Sequence, residues 1–313
     1  MQIVFLDSKV IISGQINISS LQNLGVLSLY PRTELSLLKQ RLRGADIVLT
    51  HNVPISADAM ASSRSIKLIC ILGNDPSLVD LTFAKKMGVA VSWVSDYCNE
   101  DIAQHTIALL MELCSHVGYH NHKIHNGAWC SSQDYCWWEK PIISLWGKSA
   151  GIIGSSPVCD VVAKLYQALG MQVLTCVVHS DGSFDCNSMQ NILSHSDVIS
   201  LHCPVNTGTI ELINKDTIQF IKEGSYIINT SPGKIVNESD VYEALINRKI
   251  GGYATDSLSV EPPSVHNVLF KAPNCILSGH CSCTSVSARQ NLINLAAQSI
   301  SAFLSGKPDK FII

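Results

Sequence analysis

Residues 149–160 read SAGIIGSSPVCD, and this stretch decides the fold. Ser149 to Ile153 is a short run of small and branched apolar residues, the composition of a buried strand. Gly154-Ser155-Ser156 supplies a turn. Pro157 follows at a position where a helix begins without missing an N–H. A strand that passes through a glycine-led turn into a helix is the first element of a doubly wound α/β unit.

The same alternation runs outward in both directions. Downstream, a helical pattern to Leu169 leads to MQVLTCVV (171–178), VISLHC (198–203), SYIINTS (225–231), GGYATDS (251–257) and CILSGH (275–280), the strand count of a Rossmann domain. Upstream, QIVFLD (2–7), VLSLY (26–30), DIVLT (46–50), KLICIL (67–72) and AVSWV (90–94) alternate with the helical patterns TELSLLKQRL, SADAMASS and LVDLTFAKKM. Alternation at this spacing implies right-handed crossovers and parallel sheets covered on both faces. A long apolar helix is expected over 99–117 (NEDIAQHTIALLMELCSHV), crossing between the units or forming a dimer seam, and a Trp-rich irregular stretch follows it (127–148). The last helix, Thr284–Leu304, is expected to return to the first unit. The expected architecture is therefore α/β: two Rossmann/flavodoxin-like doubly wound parallel-sheet domains with a cleft between them. Their expected extents are 1–98 plus 285–313, and 99–284.

With 313 residues, two domains of ordinary size are expected. Charged residues make up 15% of the chain and the net charge is -3, so no field draws nucleic acid or an anionic membrane, and a small molecule is the expected ligand. Cysteines such as Cys70, Cys114 and Cys176 lie in apolar segments without CxxC spacing, which reads as reduced core thiols. No stretch approaches the ~20 apolar residues of a membrane span. A soluble, cytoplasmic protein is expected.

In a Rossmann unit the turn after the first strand reads GxGxxG, and its backbone amides and the helix N-terminus hold a pyrophosphate. Here only the first glycine, Gly154, is present. Ser156 puts a Cβ where backbone normally approaches phosphate, and Cys159 thickens the helix–strand contact. The second strand ordinarily ends in an Asp or Glu for the ribose hydroxyls, but Val177 and Val178 stand there. Asp181 lies too far along unless its loop curls back, and no Arg offers itself to a 2′-phosphate. The residues alone describe a Rossmann scaffold with a damaged dinucleotide site.

The order of SAGIIG, SDVISLHCPVNTGTIELINKDTIQFIKEGSYIINTSPGKIVNE, GGYATDSLSVEPP and LSGHCS resembles the D-2-hydroxyacid dehydrogenases, above all their glycerate dehydrogenase or hydroxypyruvate reductase branch. LSLYPRTE, IAQHTIALL and DYCWWEKPIISLWGK extend the resemblance over nearly the whole chain. It implies that 1–98 plus 285–313 is the substrate domain and 99–284 the dinucleotide domain, with NAD or NADP as cofactor. It implies hydride transfer between nicotinamide and C2 of a 2-oxo or 2-hydroxy acid. It further implies a homodimer through helix 99–117 and the Trp-rich segment 129–146.

Carried over by position, His280 matches the family's general acid, Glu261 the carboxylate that raises its basicity, and Asp256 the contact to the nicotinamide carboxamide. Gly154, Ser156, Val158 and Val177 fall at the pyrophosphate and ribose positions. His202, Pro204 and Thr230 line the same cofactor site. The family's substrate Arg is replaced by Pro232, which has neither charge nor donor with which to clamp a carboxylate. Lys234 leaves the loop in another direction. On the substrate side, Asn74, Asp75 and Pro76 stand in a loop whose backbone amides bind the carboxylate in relatives, and the acidic Asp75 opposes an anion. Asp96 likewise occupies a usual glycine position.

Two further groups carry bland alternatives. His116 and His120 could share a helix face around a metal, but no carboxylate or cysteine completes the set, so no metal is expected. Cys281 and Cys283 flank His280 in a CxC pattern that strand-end packing also explains. Taken together, the losses predict weak or absent NAD-dependent reduction of 2-oxo acids and a ligand-binding or partner-binding role. The alternative is an active oxidoreductase that uses His280 and Glu261 on a carbonyl without a carboxylate.

Overall fold

The structure, a computed structural model, describes residues 1–73, 75–179 and 181–307. Its chain forms two compact units, Met1–Cys98 with the chain from Cys283 onward, and Asn99–Ser282. The second crossing falls after Ser282, where 284/285 was expected, because the Ser282 amide is still bonded to Asp256 of the second unit.

The first unit is built on β1 (Gln2–Phe5), β2 (Val26–Leu29), β3 (Ile47–Thr50), β4 (Leu68–Ile71) and β5 (Ala90–Trp93). They pair in parallel in the flavodoxin-like order β2-β1-β3-β4-β5. β3 and β4 are buried on both faces, which is why IVLT and LICI are unbroken apolar runs rather than alternating ones. Helix Val286–Leu304 returns to this sheet and packs Leu292, Ile293, Ala296 and Ile300 against Phe5, Ile47, Leu49 and Leu68. Ser285 caps it by accepting from the Ala288 amide at 3.0 Å. Near its start the buried Arg289 guanidinium donates to the carbonyls of Ile11, Ser13 and Thr284, the first two at the end of the short helix Lys9–Ile12. Among the described residues this buried cation meets no carboxylate, and the Ile11 and Ser13 carbonyls at the helix's negative end help to satisfy it.

The second unit carries β6 (Ser149–Gly154), β7 (Gln172–Cys176), β8 (Val198–His202), β9 (Tyr226–Asn229), β10 (Gly252–Thr255) and β11 (Cys275–Leu277), all parallel in the order β7-β6-β8-β9-β10-β11. Strand order reverses between β6 and β8, and ligands of open α/β sheets bind outside the carboxyl ends at such a switch point. The interior glycine of SAGIIG has a packing reason. A Cβ at Gly151 would meet Ile192 Cγ2 at 2.4 Å and Ser196 Oγ at 2.5 Å, on and just past the helix Cys186–His195.

The helix expected over 99–117 is in fact two, Asn99–Ser115 and Val117–His125, broken where His116 adopts φ 50°. The Glu112 carboxylate accepts from the Gly118 amide at 2.9 Å, so a negative group caps the new N-terminus and supports the break. Ala103, Leu110 and Leu113 of the first of these helices pack with Val158, Val162 and Tyr166, so it covers the sheet of its own unit. Among the described residues no helix is long and apolar enough to cross a membrane.

Leu292→Ala should remove about 2–5 kcal/mol from the first unit, the usual cost of emptying a fully buried leucine site. In urea unfolding followed by fragment-specific hydrogen exchange, protection should fall in residues 2–94 and stay unchanged in 149–277.

Candidate active site at the rim of the second sheet

At the end of β6 the chain turns sharply. Gly154 has φ 148°, and a Cβ there would meet the His202 carbonyl oxygen at 2.2 Å, so this glycine is required by the approach of β8. Ser155 Oγ donates to the Val178 carbonyl at 2.6 Å and Ser156 Oγ to the His202 carbonyl at 3.2 Å. The two hydroxyls thereby tie the turn to the ends of its neighbouring strands. Helix Pro157–Ala168 begins with Ser156 as N-cap but without a side-chain cap, so its first turn keeps an N-terminus suited to an anion. Val158 is buried behind it.

Past β7, Val177 is half-exposed and presents only methyl groups where an acid would take ribose hydroxyls. Asp181 does not substitute. Its carboxylate accepts from the Ser183 amide at 2.9 Å and the Ser183 hydroxyl at 2.7 Å, inside its own turn, and these bonds hold it below the usual carboxylate range. Beside the switch point, buried His202 has Nδ1 3.3 Å from Thr230 Oγ1, and its Nε2 meets no partner among the described residues. Thr230 Oγ1 also lies 3.0 Å from Thr106 Oγ1. Pro204 is exposed, and its carbonyl accepts from Thr209.

Beyond β10 lies the best-determined group of the site. Asp256 is 2% exposed. Its Oδ1 accepts from Ser278 Oγ at 2.6 Å and the Cys281 amide at 2.9 Å, and its Oδ2 from the Ser282 amide at 2.9 Å. His105 Nε2 lies 2.8 Å from Ser278 Oγ and 3.4 Å from Asp256 Oδ1. An ionised carboxylate only accepts, so Ser278 donates to it and in turn receives the His105 Nε2–H. Burial alone would raise the Asp256 pKa. The bonds from His105, Ser278 and the two amides outweigh burial and hold it well below the carboxylate range. His105 Nε2, Asp256 Oδ1 and Cys281 Sγ lie within 4.8 Å of one another, but the carboxylate's charge is already met by these donors.

Asp256 also anchors the loop that carries His280. The His280 amide donates to the Asp256 carbonyl at 2.7 Å, and His280 sits at φ 53°, a left-handed conformation costly for a side chain and kept only where neighbours impose it. His280 Nδ1 is 2.6 Å from Glu261 Oε2, and Glu261 Oε1 accepts from the Leu258 amide at 2.9 Å. The pair fixes Nδ1 as the donor toward Glu261, which leaves Nε2 as the nitrogen that can exchange a proton with a ligand. Glu238 braces the same loop by accepting from the Ser259 amide and Asn267 Nδ2, each at 2.6 Å.

The clamp position follows β9. Ser231 is tied by its amide to Asn229 Oδ1 at 3.0 Å and by its hydroxyl to the Leu201 carbonyl at 2.9 Å, and Ser257 Oγ donates to the Ser231 carbonyl. Pro232 is exposed at φ -55°, and a Cβ at Gly233 would meet the Leu258 carbonyl carbon at 2.1 Å. The loop is thus held rigidly with no cation at Pro232. Lys234 is exposed in the single 3-10 turn that follows.

In the first unit, Asp75 accepts from the Ser77 amide at 2.9 Å and the Ser77 hydroxyl at 2.5 Å, capping the turn that starts at Pro76. Asn74 lies outside the described residues. Asp96 adopts φ 59°, the left-handed conformation for which glycine is the usual choice, and accepts from Ser95 Oγ at 2.7 Å. The rings of His116 and His120 stack edge to face at 6.2 Å, and His120 Nε2 is 3.3 Å from the amides of Glu139 and Lys140. Cys281 and Cys283 part company: the first lies on Asp256, the second on Cys98.

Sequence reading passed over His105, Thr106 and Ser278. The available signal was the polar His105-Thr106 pair just before the apolar run IALLM of the same helix, where the structure buries Thr106 fully.

The profile of the family described as D-isomer specific 2-hydroxyacid dehydrogenase, NAD binding domain, matches residues 107–282. The chain is 34% identical to a hydroxypyruvate reductase of Blautia hydrogenotrophica, over 98% of each chain. It is 32% identical to a glycerate dehydrogenase of Methylorubrum extorquens, over 87% of each. Its fold is shared with an acyclic imino acid reductase solved with NADPH and D-arginine, at a TM-score of 0.84, 20% identity and full coverage of both chains. Against that family's cofactor, the helix N-terminus fits a phosphate. At the ribose position Val177 offers no hydrogen-bonding group, and Asp256 is bonded within its own chain by Ser278, Cys281 and Ser282.

Burial pushes His202 down to about 4, so it is neutral in the folded chain. The unfolded chain takes up this proton near pH 6.5 and the folded chain withholds it until about 4. The contribution of His202 to stability is therefore constant above about pH 6.5 and is lost as pH falls toward 4, by roughly 3 kcal/mol. Urea unfolding should show that loss in the parent protein, and His202→Asn should flatten it.

Proposed function

The chain belongs to the D-2-hydroxyacid dehydrogenase family and to its glycerate dehydrogenase-like branch, and from that premise we propose that it reduces 2-oxo acids weakly or not at all, acting instead as a ligand-binding or partner-binding member. The observation that carries this reading is Pro232, exposed on a rigid loop where relatives place a guanidinium. A bidentate clamp both binds the carboxylate and sets which face of the carbonyl is presented, and its loss is worth roughly 10²-fold or more in rate. Ser156 in the phosphate turn and Val177 at the ribose position act in the same direction on NAD or NADP.

What the chain's own groups can do is narrower. Glu261 holds the His280 ring by Nδ1, and Asp256 holds the backbone on which that ring stands. His280 can hold or pass one proton at Nε2. The nicotinamide, when bound in this family, supplies the hydride.

The close His280–Glu261 contact favours a second reading. An intact acid pair beside a missing clamp suits reduction of a carbonyl that bears no carboxylate, with NAD(P)H supplied as in relatives.

The same proposal includes a homodimer and a cytoplasmic setting. Tyr135 (92% exposed), Trp146 (79%) and Trp138 (61%) cluster in 129–146, an apolar surface that a second copy would cover. Cys70, Cys114, Cys159, Cys176 and Cys203 are buried thiols, suited to a reducing compartment.

Pro232→Arg combined with Ser156→Gly and Val177→Asp should raise NADH-dependent reduction of hydroxypyruvate or glyoxylate by roughly 10²-fold or more over the parent protein. A folded triple variant with no gain would overturn the proposal. In sedimentation velocity the parent should run at twice 34.0 kDa, and Tyr135→Glu with Trp138→Glu should run as the monomer.

A further inference from the structure

The first unit is joined to the rest of the chain at two points, Cys98 where the chain leaves it and Cys283 where the chain comes back. These two cysteines, 185 positions apart in sequence, bring their sulfurs to 2.8 Å from each other. Cys98 is 5% exposed and Cys283 is half-buried, so one thiol is reachable from solvent and the other lies behind it. The Tyr97 backbone carbonyl accepts from Asn291 Nδ2 at 3.0 Å, which ties the segment 97–98 to the returning helix. No dehydrogenase chemistry engages this pair.

We propose that Cys98 and Cys283 form a reversible disulfide, a redox modification site that closes the two crossings of the chain into one covalent ring. Bond formation requires an approach of less than ~1 Å and adjustment of side-chain torsions, with both segments already side by side. The oxidant is a small-molecule disulfide of the glutathione class. The Cys283 thiolate attacks it, forming a mixed disulfide and releasing one small thiol. Cys98 then attacks the Cys283 sulfur, forming the cystine and releasing the second small thiol, so the two protein protons leave on the two released thiols. The order follows from exposure: Cys283 meets the reagent and Cys98 resolves it. Dithiothreitol reduces the cystine back to two thiols and is itself oxidised to its cyclic disulfide. Such a cystine spans the whole of the second unit, the long-loop case in which a cross-link most restricts the unfolded chain.

The test uses the full-length protein, incubated with oxidised glutathione, alkylated with iodoacetamide and read by intact mass and peptide mapping. In the expected product the linked pair weighs two hydrogens less than the two free thiols, takes up no iodoacetamide, carries no glutathione at these positions, and yields a peptide linking Cys98 to Cys283 that dithiothreitol removes. Cys98→Ser should stall with glutathione on Cys283. Cys283→Ser should give neither species, whereas replacing the exposed Cys130 and Cys186 by Ser should leave the link intact. The proposal fails if the parent protein keeps glutathione on Cys283 without losing the second thiol, if the link joins Cys281 instead, or if no link forms. The parent peptide map decides alone should a variant not fold.

Discussion

A buried carboxylate at the end of β10 organises the rim of the second sheet. Asp256 stays ionised despite its burial because the Ser278 hydroxyl and the Cys281 amide converge on Oδ1 and the Ser282 amide on Oδ2, donors of the loop that carries His280. Removing the charge or the donors would leave the other side unsatisfied in a low-dielectric setting, which costs far more than the bonds are worth in water. The left-handed conformation of His280 persists because that loop cannot relax, and the Glu261 contact depends on the ring remaining where the backbone puts it.

On the proposed reading, the same rim keeps one half of a reductase and lacks the other. Proton transfer needs only a positioned imidazole and its carboxylate, and both are in place. Recognition of an anionic substrate is served by a fixed cation, and in the proposed reading Pro232 supplies none on a loop tied at Ser231. Here the Asp256 carboxylate is bonded to Ser278, Cys281 and Ser282 of its own chain.

Much of the fold was legible because parallel strands buried on both faces leave unbroken apolar runs such as IVLT and VISLH, and glycines mark where elements touch. The break at His116 was not, since it depends on Glu112 reaching a backbone amide two turns on, which no periodicity records. Of the site, Pro232, His280 and Glu261 were readable from motif order. Asp75 was read as a repelling charge, but its local work is to cap the turn at Pro76. His105 and Ser278 were invisible, because their meeting at Asp256 comes from a helix and a strand end 173 positions apart. The Cys98–Cys283 approach is hidden in the same way, created only when the chain comes back to its first sheet.

The central claim is that the dinucleotide and carboxylate contacts are missing while the acid pair stands. Titration of the purified protein with NADH, followed by nicotinamide fluorescence and then by addition of hydroxypyruvate, tests it most directly. The account predicts no saturation below millimolar cofactor and no oxidation above background. Saturation at micromolar NADH with rapid oxidation by the 2-oxo acid would contradict it.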